Sequence, residues 1–208
     1  MPDRLDAGAP TRRALLALCG LPLLAYADAN ANANAKANAN DAAALLRRGG
    51  VVLMLRHAQT TPGIGDPPGF RLGDCSSQRQ LSDEGRAQAR QLGEWFTQQK
   101  LTPGRVRSSA WCRCVDTAML AFGRSEPWPV IDSTFGDAAT GTAAGTSHAP
   151  AIDAALRAVP AGRFEVWITH QVNITAATGA FLGMGEGVVV KAGATASTRP
   201  LIVARLVV

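Results

Sequence analysis

The sequence predicts an α/β fold in which a largely parallel sheet lies between two layers of helices, as a three-layer α/β/α sandwich. Short apolar segments alternate with amphipathic helical segments from residue 41 onward, and this order is typical of parallel strands joined by helical crossovers. The chain has 208 residues, of which 47% are hydrophobic. It is therefore long enough for one domain of ordinary size with a substantial core.

Six apolar segments have the composition of strands. Residues 51–55 form a compact apolar run, typical of a strand that is buried on both faces, and residues 164–169 form a second one. The other segments are shorter or close the sheet near the C-terminus. In chain order, the predicted strands are residues 51–55, 105–108, 130–131, 164–169, 188–190 and 201–207.

Five segments between the strands are predicted helices. The first, residues 41–48, has Asp41 as its expected N-cap. Ser82 is the predicted cap of the second helix. The expected apolar face of this second helix consists of Ala87, Leu92 and Phe96. The remaining helices are predicted at residues 111–122, 150–159 and 171–182.

Two long segments have neither a strand pattern nor a helix pattern. Residues 56–79 form a loop rich in glycine and proline, and residues 133–149 are predicted to form a mobile flap. Long loops in a compact domain are more often functional than idle, so we expect substrate specificity to come from these two segments. Within the first loop, Gln78 and Arg79 are either substrate contacts or ordinary exposed residues.

The first 27 residues have the features of a signal peptide. Arg12 and Arg13 precede an apolar stretch, and Ala25-Tyr26-Ala27 matches the small-x-small pattern of a cleavage site. We therefore predict export, to the periplasm or as a secreted protein, by either the general or the twin-arginine route.

The predicted signal peptide, residues 1–27, precedes a linker at residues 28–40 in which Ala and Asn alternate. The predicted folded domain is residues 41–208. We expect no membrane span after removal of the signal, because the remaining apolar runs are too short.

The charge and composition of the chain limit the classes of binding partner that the sequence predicts. The formal net charge of +5 suits an anionic substrate. No run of lysines and arginines is interleaved with aromatic residues, so nucleic acid is not an expected partner. With three histidines and no Cys-x-x-Cys spacing, neither a metal site nor another cofactor is predicted. In an oxidising compartment, we expect Cys75 to pair with either Cys112 or Cys114. No oligomeric state is predicted.

Cationic and imidazole side chains follow three of the predicted strands. Arg56 and His57 come directly after the first, His170 follows the strand at residues 164–169, and Arg113 stands one turn into the helix after residues 105–108. The carboxyl ends of parallel strands meet at one edge of a sheet, so these four side chains should converge. Such a cluster is physically reasonable if it binds an anion.

Four ordered segments carry a family resemblance. The segment from Leu81 to Ala89 is similar to one family's Leu-small-x-x-Gly-x-x-Gln-Ala helix start, and Ser108 to Ala118 is similar to its Ser-small-x-x-Arg-x-x-x-Thr-Ala segment. Arg56-His57-Ala58-Gln59-Thr60 and Thr169-His170 resemble its two histidine segments. Together they resemble the histidine phosphatase superfamily, which includes the phosphoglycerate mutases.

This resemblance implies a phosphoglycerate mutase-like fold and assigns roles to individual residues. His57 would be the nucleophile, and Arg56, Arg113 and His170 would bind the phosphoryl oxygens. Asp137 would be the general acid, unless it is merely a surface carboxylate of the flap. The implied activity is hydrolysis of a small phosphorylated substrate by a metal-independent phosphomonoesterase.

Two alternatives remain open at this point. A protein on the same fold could bind phosphate or another anion without turning it over. A compact member of the superfamily could instead be a protein phosphohistidine phosphatase.

Overall fold

A computed structural model describes residues 38–135, 148–196 and 198–208 of the chain. Six strands form a single sheet with the order β3-β2-β4-β1-β5-β6. The strands are β1 (Val51–Arg56), β2 (Arg105–Ser108), β3 (Glu126–Pro127), β4 (Phe164–Thr169), β5 (Gly187–Lys191) and β6 (Leu201–Leu206). The helices are α1 (38–48), α2 (Asp83–Gln98), α3 (Cys112–Phe122), α4 (Ala149–Arg157) and α5 (Gln171–Thr178).

The sheet is mixed, so the prediction of a largely parallel sheet is wrong. Strands β3, β2, β4 and β1 are parallel, whereas β5 pairs antiparallel with both β1 and β6. A parallel crossover needs about a dozen residues or more. The connection at residues 192–200 is shorter than that, so β6 returns beside β5 in the antiparallel direction.

Alternate residues of β1 belong to two separate hydrophobic clusters. Leu53 and Leu55 pack with residues of α1, α2 and α3, whereas Val52 and Met54 pack with residues of α4 and α5. Side chains of a strand point alternately to opposite faces of a sheet, which explains this division. The three-layer arrangement remains a prediction, and the two clusters are compatible with it.

Three predicted elements differ in the structure. The strand expected at residues 130–131 is instead part of a short 3-10 turn, Pro129–Ile131, and its apolar character reflects the complete burial of Ile131. Residues 38–40 are already helical, so Asp41 lies inside helix α1 and does not cap it. Helix α5 ends at Thr178 because Gly179 adopts a left-handed conformation with φ of 78°.

Helix α2 begins as expected, since the Ser82 hydroxyl accepts a hydrogen bond from Gly85 N. Its buried face includes Ala89, Leu92 and Phe96, whereas Ala87 is exposed.

Several predictions lie largely outside the described residues: the signal peptide at residues 1–27, the linker at residues 28–40 except its last three, and most of the flap at residues 133–149. Within the described ranges, no helix combines the length and apolar character needed to cross a bilayer.

Candidate active site

The carboxyl ends of β1, β2 and β4 bring the four predicted side chains to one edge of the sheet. Arg56 ends β1 and His57 follows it, while His170 follows β4. Arg113 is the second residue of α3, the helix that comes after β2. The ring centroids of His57 and His170 are 5.5 Å apart, and Arg113 Nη2 lies 3.4 Å from His170 Nδ1. We call Arg56, His57, Arg113 and His170 the cationic cluster.

His57 is buried and held in one orientation. Its backbone N–H donates to Thr169 O at 3.0 Å, which ties it to the end of β4. Its ring Nδ1 lies 2.9 Å from the carbonyl oxygen of Ala58. A carbonyl oxygen can only accept, so Nδ1 carries the proton and Nε2 keeps a free lone pair.

The surroundings of His57 strongly disfavour its charged form. Burial, followed by the positive charges of Arg113, Arg56 and Arg79, lowers the pKa of His57 to about 3, although the hydrogen bond to the Ala58 carbonyl opposes this. The imidazole is therefore neutral near pH 7, as a nitrogen nucleophile must be.

His170 is equally buried and has polar partners on both ring nitrogens. Its Nε2 lies 2.8 Å from Ser109 Oγ, and its Nδ1 faces Arg113. Trp111 packs edge-on against the ring, with centroids 5.4 Å apart. Burial, followed by the charges of Arg113 and His57, lowers the pKa of His170 well below its ordinary value.

Both guanidinium groups of the cluster have donors without a hydrogen-bond partner. Arg56 Nη1 donates to Leu182 O at 2.7 Å, and Arg113 Nη1 donates to Asp66 Oδ1 at 2.7 Å. The Nε atoms of both arginines are buried without a hydrogen-bond partner. Buried donors are nearly always paired, so unpartnered ones at the end of a sheet indicate a binding site for an acceptor.

Asp66 belongs to this site although no sequence pattern singles it out. It lies in the loop at residues 56–79, and its carboxylate accepts from Arg113 Nη1, from Arg79 N at 3.0 Å and from Trp111 Nε1 at 2.9 Å. Burial alone would raise the pKa of Asp66, but these hydrogen bonds and the Arg113 charge lower it below its usual value. Asp66 therefore stays ionised and joins the loop to α3.

Arg79, which the sequence leaves as either a substrate contact or an exposed residue, is half-buried beside the cluster. Its Nη1 donates to Gly63 O at 2.8 Å, and its Nε is buried without a partner. Burial, followed by the positive charge of Arg113, lowers the pKa of Arg79.

Several motif residues act by holding the chain that follows His57. Thr117 Oγ1 accepts from Ala58 N at 3.1 Å, and Gln88 Oε1 accepts from Gln59 N at 3.1 Å. At Gly85, a Cβ atom would lie 1.9 Å from Gln59 O, so only glycine lets α2 approach this closely. These contacts explain why the motifs contain these residue types.

A disulfide ties the loop to α3. Of the two pairings left open, the structure contains Cys75–Cys112, with a Cα–Cα distance of 5.6 Å. Gln78 Oε1 reinforces this link by accepting from Cys112 N at 2.9 Å. Cys114 is a free and buried thiol, and burial raises its pKa to about 12.

Two carboxyl groups, Asp132 and Asp137, are the candidate proton donors. Asp137 lies outside the described residues, so its role as the acid stays a prediction. Asp132 accepts a hydrogen bond from Ala110 N at 2.7 Å and interacts with Ser109, the partner of His170. Burial raises the pKa of Asp132, which favours its protonated form. In the described part of the chain, no three His, Cys, Asp or Glu side chains are grouped to hold a metal ion.

Two imidazoles in edge-to-face contact, beside the buried Arg113 and the half-buried Arg56, have the donors that a phosphoryl group would need, as in the class of enzymes that act on phosphates through histidine. Residues 52–161 match the family model of the histidine phosphatase superfamily, branch 1. The chain belongs to this superfamily and is a phosphatase. The matched residues end before His170, whose place beside His57 comes from the structure.

Several solved structures are similar to the chain at low sequence identity. A mycobacterial glucosyl-3-phosphoglycerate phosphatase is 17% identical, with a TM-score of 0.52, over 76% of this chain and 98% of that one. A phosphoglycerate mutase from Thermus thermophilus is 19% identical, with a TM-score of 0.48, over 76% and 99%. The protein histidine phosphatase SixA, complexed with tungstate, is 15% identical, with a TM-score of 0.49, over 75% and 96%. No curated protein matches the chain in sequence.

Proposed function

We propose that this phosphatase is a metal-independent phosphomonoesterase that hydrolyses a small phosphate ester through a phosphohistidine intermediate on His57. The observation that carries the proposal is the 5.5 Å separation of the His57 and His170 rings beside Arg56 and Arg113. One tetrahedral phosphoryl group can contact all four side chains across such a gap.

In the first half-reaction, His57 Nε2 attacks the phosphorus atom. A nitrogen–phosphorus bond forms as the bond from phosphorus to the ester oxygen breaks, and the leaving oxygen takes a proton from the general acid. Arg56 and Arg113 donate to the phosphoryl oxygens, where negative charge is spread in the transition state. A bound dianion also offsets the arginine charges, so it favours protonation of His170 and lets that ring donate to the phosphoryl group.

In the second half-reaction, a water molecule attacks the phosphorus atom and the nitrogen–phosphorus bond breaks. The carboxylate left by the first step accepts the proton of the water. Free His57 and inorganic phosphate result, so atoms and charges balance over the cycle.

Asp137 is our proposed general acid, on the strength of its place in the sequence after the third strand. Asp132 is a second candidate, and one observation favours it: burial raises its pKa, and Ser109 links it to His170. A carboxyl group with a raised pKa is suited to donate a proton near neutral pH.

A direct test measures phosphate release from 4-nitrophenyl phosphate in the presence of a chelator. We expect the wild-type protein to be active and His57→Ala to lose activity by at least about a thousandfold, with an unchanged circular dichroism spectrum. Unchanged activity in His57→Ala, or dependence of the wild type on added metal, would contradict the proposal.

We also propose that residues 1–27 are removed as a signal peptide and that residues 41–208 function in the periplasm or as a secreted protein. The Cys75–Cys112 disulfide supports this proposal, since disulfides persist mainly in oxidising compartments. Mass spectrometry of the protein recovered from the producing cells tests it, because cleavage after Ala27 gives a defined mature mass.

A further inference from the structure

We propose that Arg79 supplies a third guanidinium group to the same phosphoryl group that Arg56 and Arg113 bind. The inference rests on the proposed function and extends it. It assigns a substrate-binding residue to the loop at residues 56–79, outside the segments that resemble the family's histidine and arginine motifs.

The backbone of Arg79 is fixed by the same carboxylate that holds Arg113. Asp66 Oδ1 accepts from Arg113 Nη1 at 2.7 Å and from Arg79 N at 3.0 Å. One carboxylate oxygen therefore contacts both Arg113, in α3, and Arg79, in the loop. The position of Arg79 is thus tied to the cluster.

The guanidinium group of Arg79 combines one hydrogen-bonded donor with one buried donor that has no partner. Its Nη1 donates to Gly63 O at 2.8 Å, whereas its Nε is buried and has no partner. Arg56 and Arg113 share this feature, since their Nε atoms are also buried and unpartnered. Three guanidinium groups at one site therefore each keep an unpaired donor, which is the arrangement that an anion with several oxygens would satisfy.

The charge of Arg79 also interacts with the groups of the cluster. Its positive charge contributes to the lowered pKa of both His57 and His170, and the charges of Arg113 and Arg56 contribute to its own lowered pKa. An exposed loop arginine would be screened by solvent and would not couple to buried imidazoles in this way.

The number of guanidinium groups also favours one class of phosphorylated substrate. A phosphate monoester has three terminal oxygens and carries up to two negative charges, whereas a phosphate diester has two terminal oxygens and one charge. The carboxylates of Asp66 and Glu186 together offset only part of the positive charge of Arg56, Arg79 and Arg113. Three guanidinium groups therefore match a terminal monoester better than a diester.

The test compares Arg79→Gln and Arg79→Lys with Arg71→Gln as the matched control. Arg71 lies in the same loop, but its side chain is 76% exposed and pairs with Asp74 at the surface. We measure KM and kcat for 4-nitrophenyl phosphate and the inhibition constant of orthovanadate. Arg79→Gln should raise both KM and the inhibition constant by about tenfold to a hundredfold, because a charged hydrogen bond is lost.

Arg79→Lys should fall between the wild type and Arg79→Gln, because lysine keeps the charge but not the fork of donors. Arg71→Gln should match the wild type in both constants. If Arg79→Gln behaves like Arg71→Gln, the proposal is overturned. It is also overturned if Arg79→Gln weakens only substrates with a second anionic group and leaves orthovanadate inhibition unchanged, because Arg79 would then serve a separate subsite.

Binding of inorganic phosphate, measured by titration calorimetry, separates this proposal from the proposed function because it needs no turnover. Loss of phosphate affinity in Arg79→Gln but not in Arg71→Gln supports Arg79 even if His57 proves not to be the nucleophile. Equal phosphate affinity in the two variants overturns the role of Arg79 even if the enzyme is active. Thermal unfolding of both variants checks that the loop mutation leaves the fold intact.

Discussion

Asp66 and Arg113 form a buried ion pair at the candidate active site, with Asp66 Oδ1 2.7 Å from Arg113 Nη1 and side-chain exposures of 6% and 4%. The pair joins the loop that follows His57 to the first turn of α3. A carboxylate that pairs with a guanidinium group fixes its orientation and offsets part of its charge. Asp66 is therefore a positioning residue for Arg113.

Removing the Asp66 carboxylate should cost both stability and substrate binding. Asp66→Ala leaves a buried arginine without its counter-charge, and we expect the free energy of unfolding to fall by about 3 kcal/mol. KM for 4-nitrophenyl phosphate should rise more than kcat falls. Urea denaturation and steady-state kinetics measure these two effects.

Asp74→Ala is the matched control for that variant, because Asp74 pairs with Arg71 in the same loop but at the surface. We expect little change in either measurement. Equal effects of Asp66→Ala and Asp74→Ala would contradict the positioning role of Asp66.

The disulfide should stabilise the protein and keep the loop on α3. Its half-cystines are 37 positions apart, and closing a loop of this size contributes about 4 kcal/mol in the chain-entropy model. The double variant Cys75→Ala/Cys112→Ala should therefore unfold at lower temperature and show a raised KM. A reductant should have the same effect on the wild type and none on the double variant. Unchanged kinetics in the double variant would show that the loop holds its place without the bond.

The buried neutral state of His57 makes stability depend on pH. Its pKa is about 3 in the folded protein, below the ordinary value of about 6.5 in the unfolded chain. Between these values the unfolded chain binds the extra proton, so stability falls as the pH is lowered through this window. His57 should contribute about 1.4 kcal/mol of loss for each pH unit.

Urea denaturation of the wild type and of His57→Asn between about pH 4 and pH 7 checks this dependence, because asparagine does not titrate. The wild-type curve should be steeper than that of the variant. Parallel curves would mean that His57 is charged or solvated in the folded protein.

The general acid can be identified by its dependence on the leaving group. The comparison uses kcat/KM, which reports the first half-reaction and not the later attack of water. Loss of the acid should hardly affect kcat/KM for 4-nitrophenyl phosphate, whose leaving group is stable as an anion, but it should lower kcat/KM for an alkyl phosphate by about a hundredfold. We expect Asp137→Asn to show this selective loss and Asp132→Asn to slow both substrates equally through its link to His170. The reverse pattern would assign the acid to Asp132, and no selectivity in either variant would contradict both assignments.

The parts of the fold and site that follow strand ends could be predicted from sequence. The apolar run before Arg56 and the one before His170 each mark a buried parallel strand, and parallel strands place their following residues at one edge. Thr117, Gln88 and Gly85 belong to motifs that are separate in the sequence, but all three contact the chain just after His57. The motifs together therefore predicted the site better than any one of them.

Other features depend on tertiary contacts that no local pattern encodes. Asp66 and Arg79 lie in a glycine- and proline-rich loop, and only the folded loop brings them to Arg113. The antiparallel direction of β5 and β6 is not encoded in their apolar composition, and for β6 it follows from the short connection at residues 192–200. Residues 130–131 are apolar because Ile131 is buried in the core, not because they pair in the sheet.

The central claim is that the phosphoryl group is transferred to His57 during turnover. The most direct test mixes the enzyme with a phosphate ester and stops the reaction rapidly without acid. Peptide mapping by mass spectrometry should find one phosphoryl group, stable in alkali and lost in acid, on the peptide that contains His57. His57→Ala should carry no such label. A phosphorylated His170, or full turnover with no phosphohistidine at any quench time, would contradict the account.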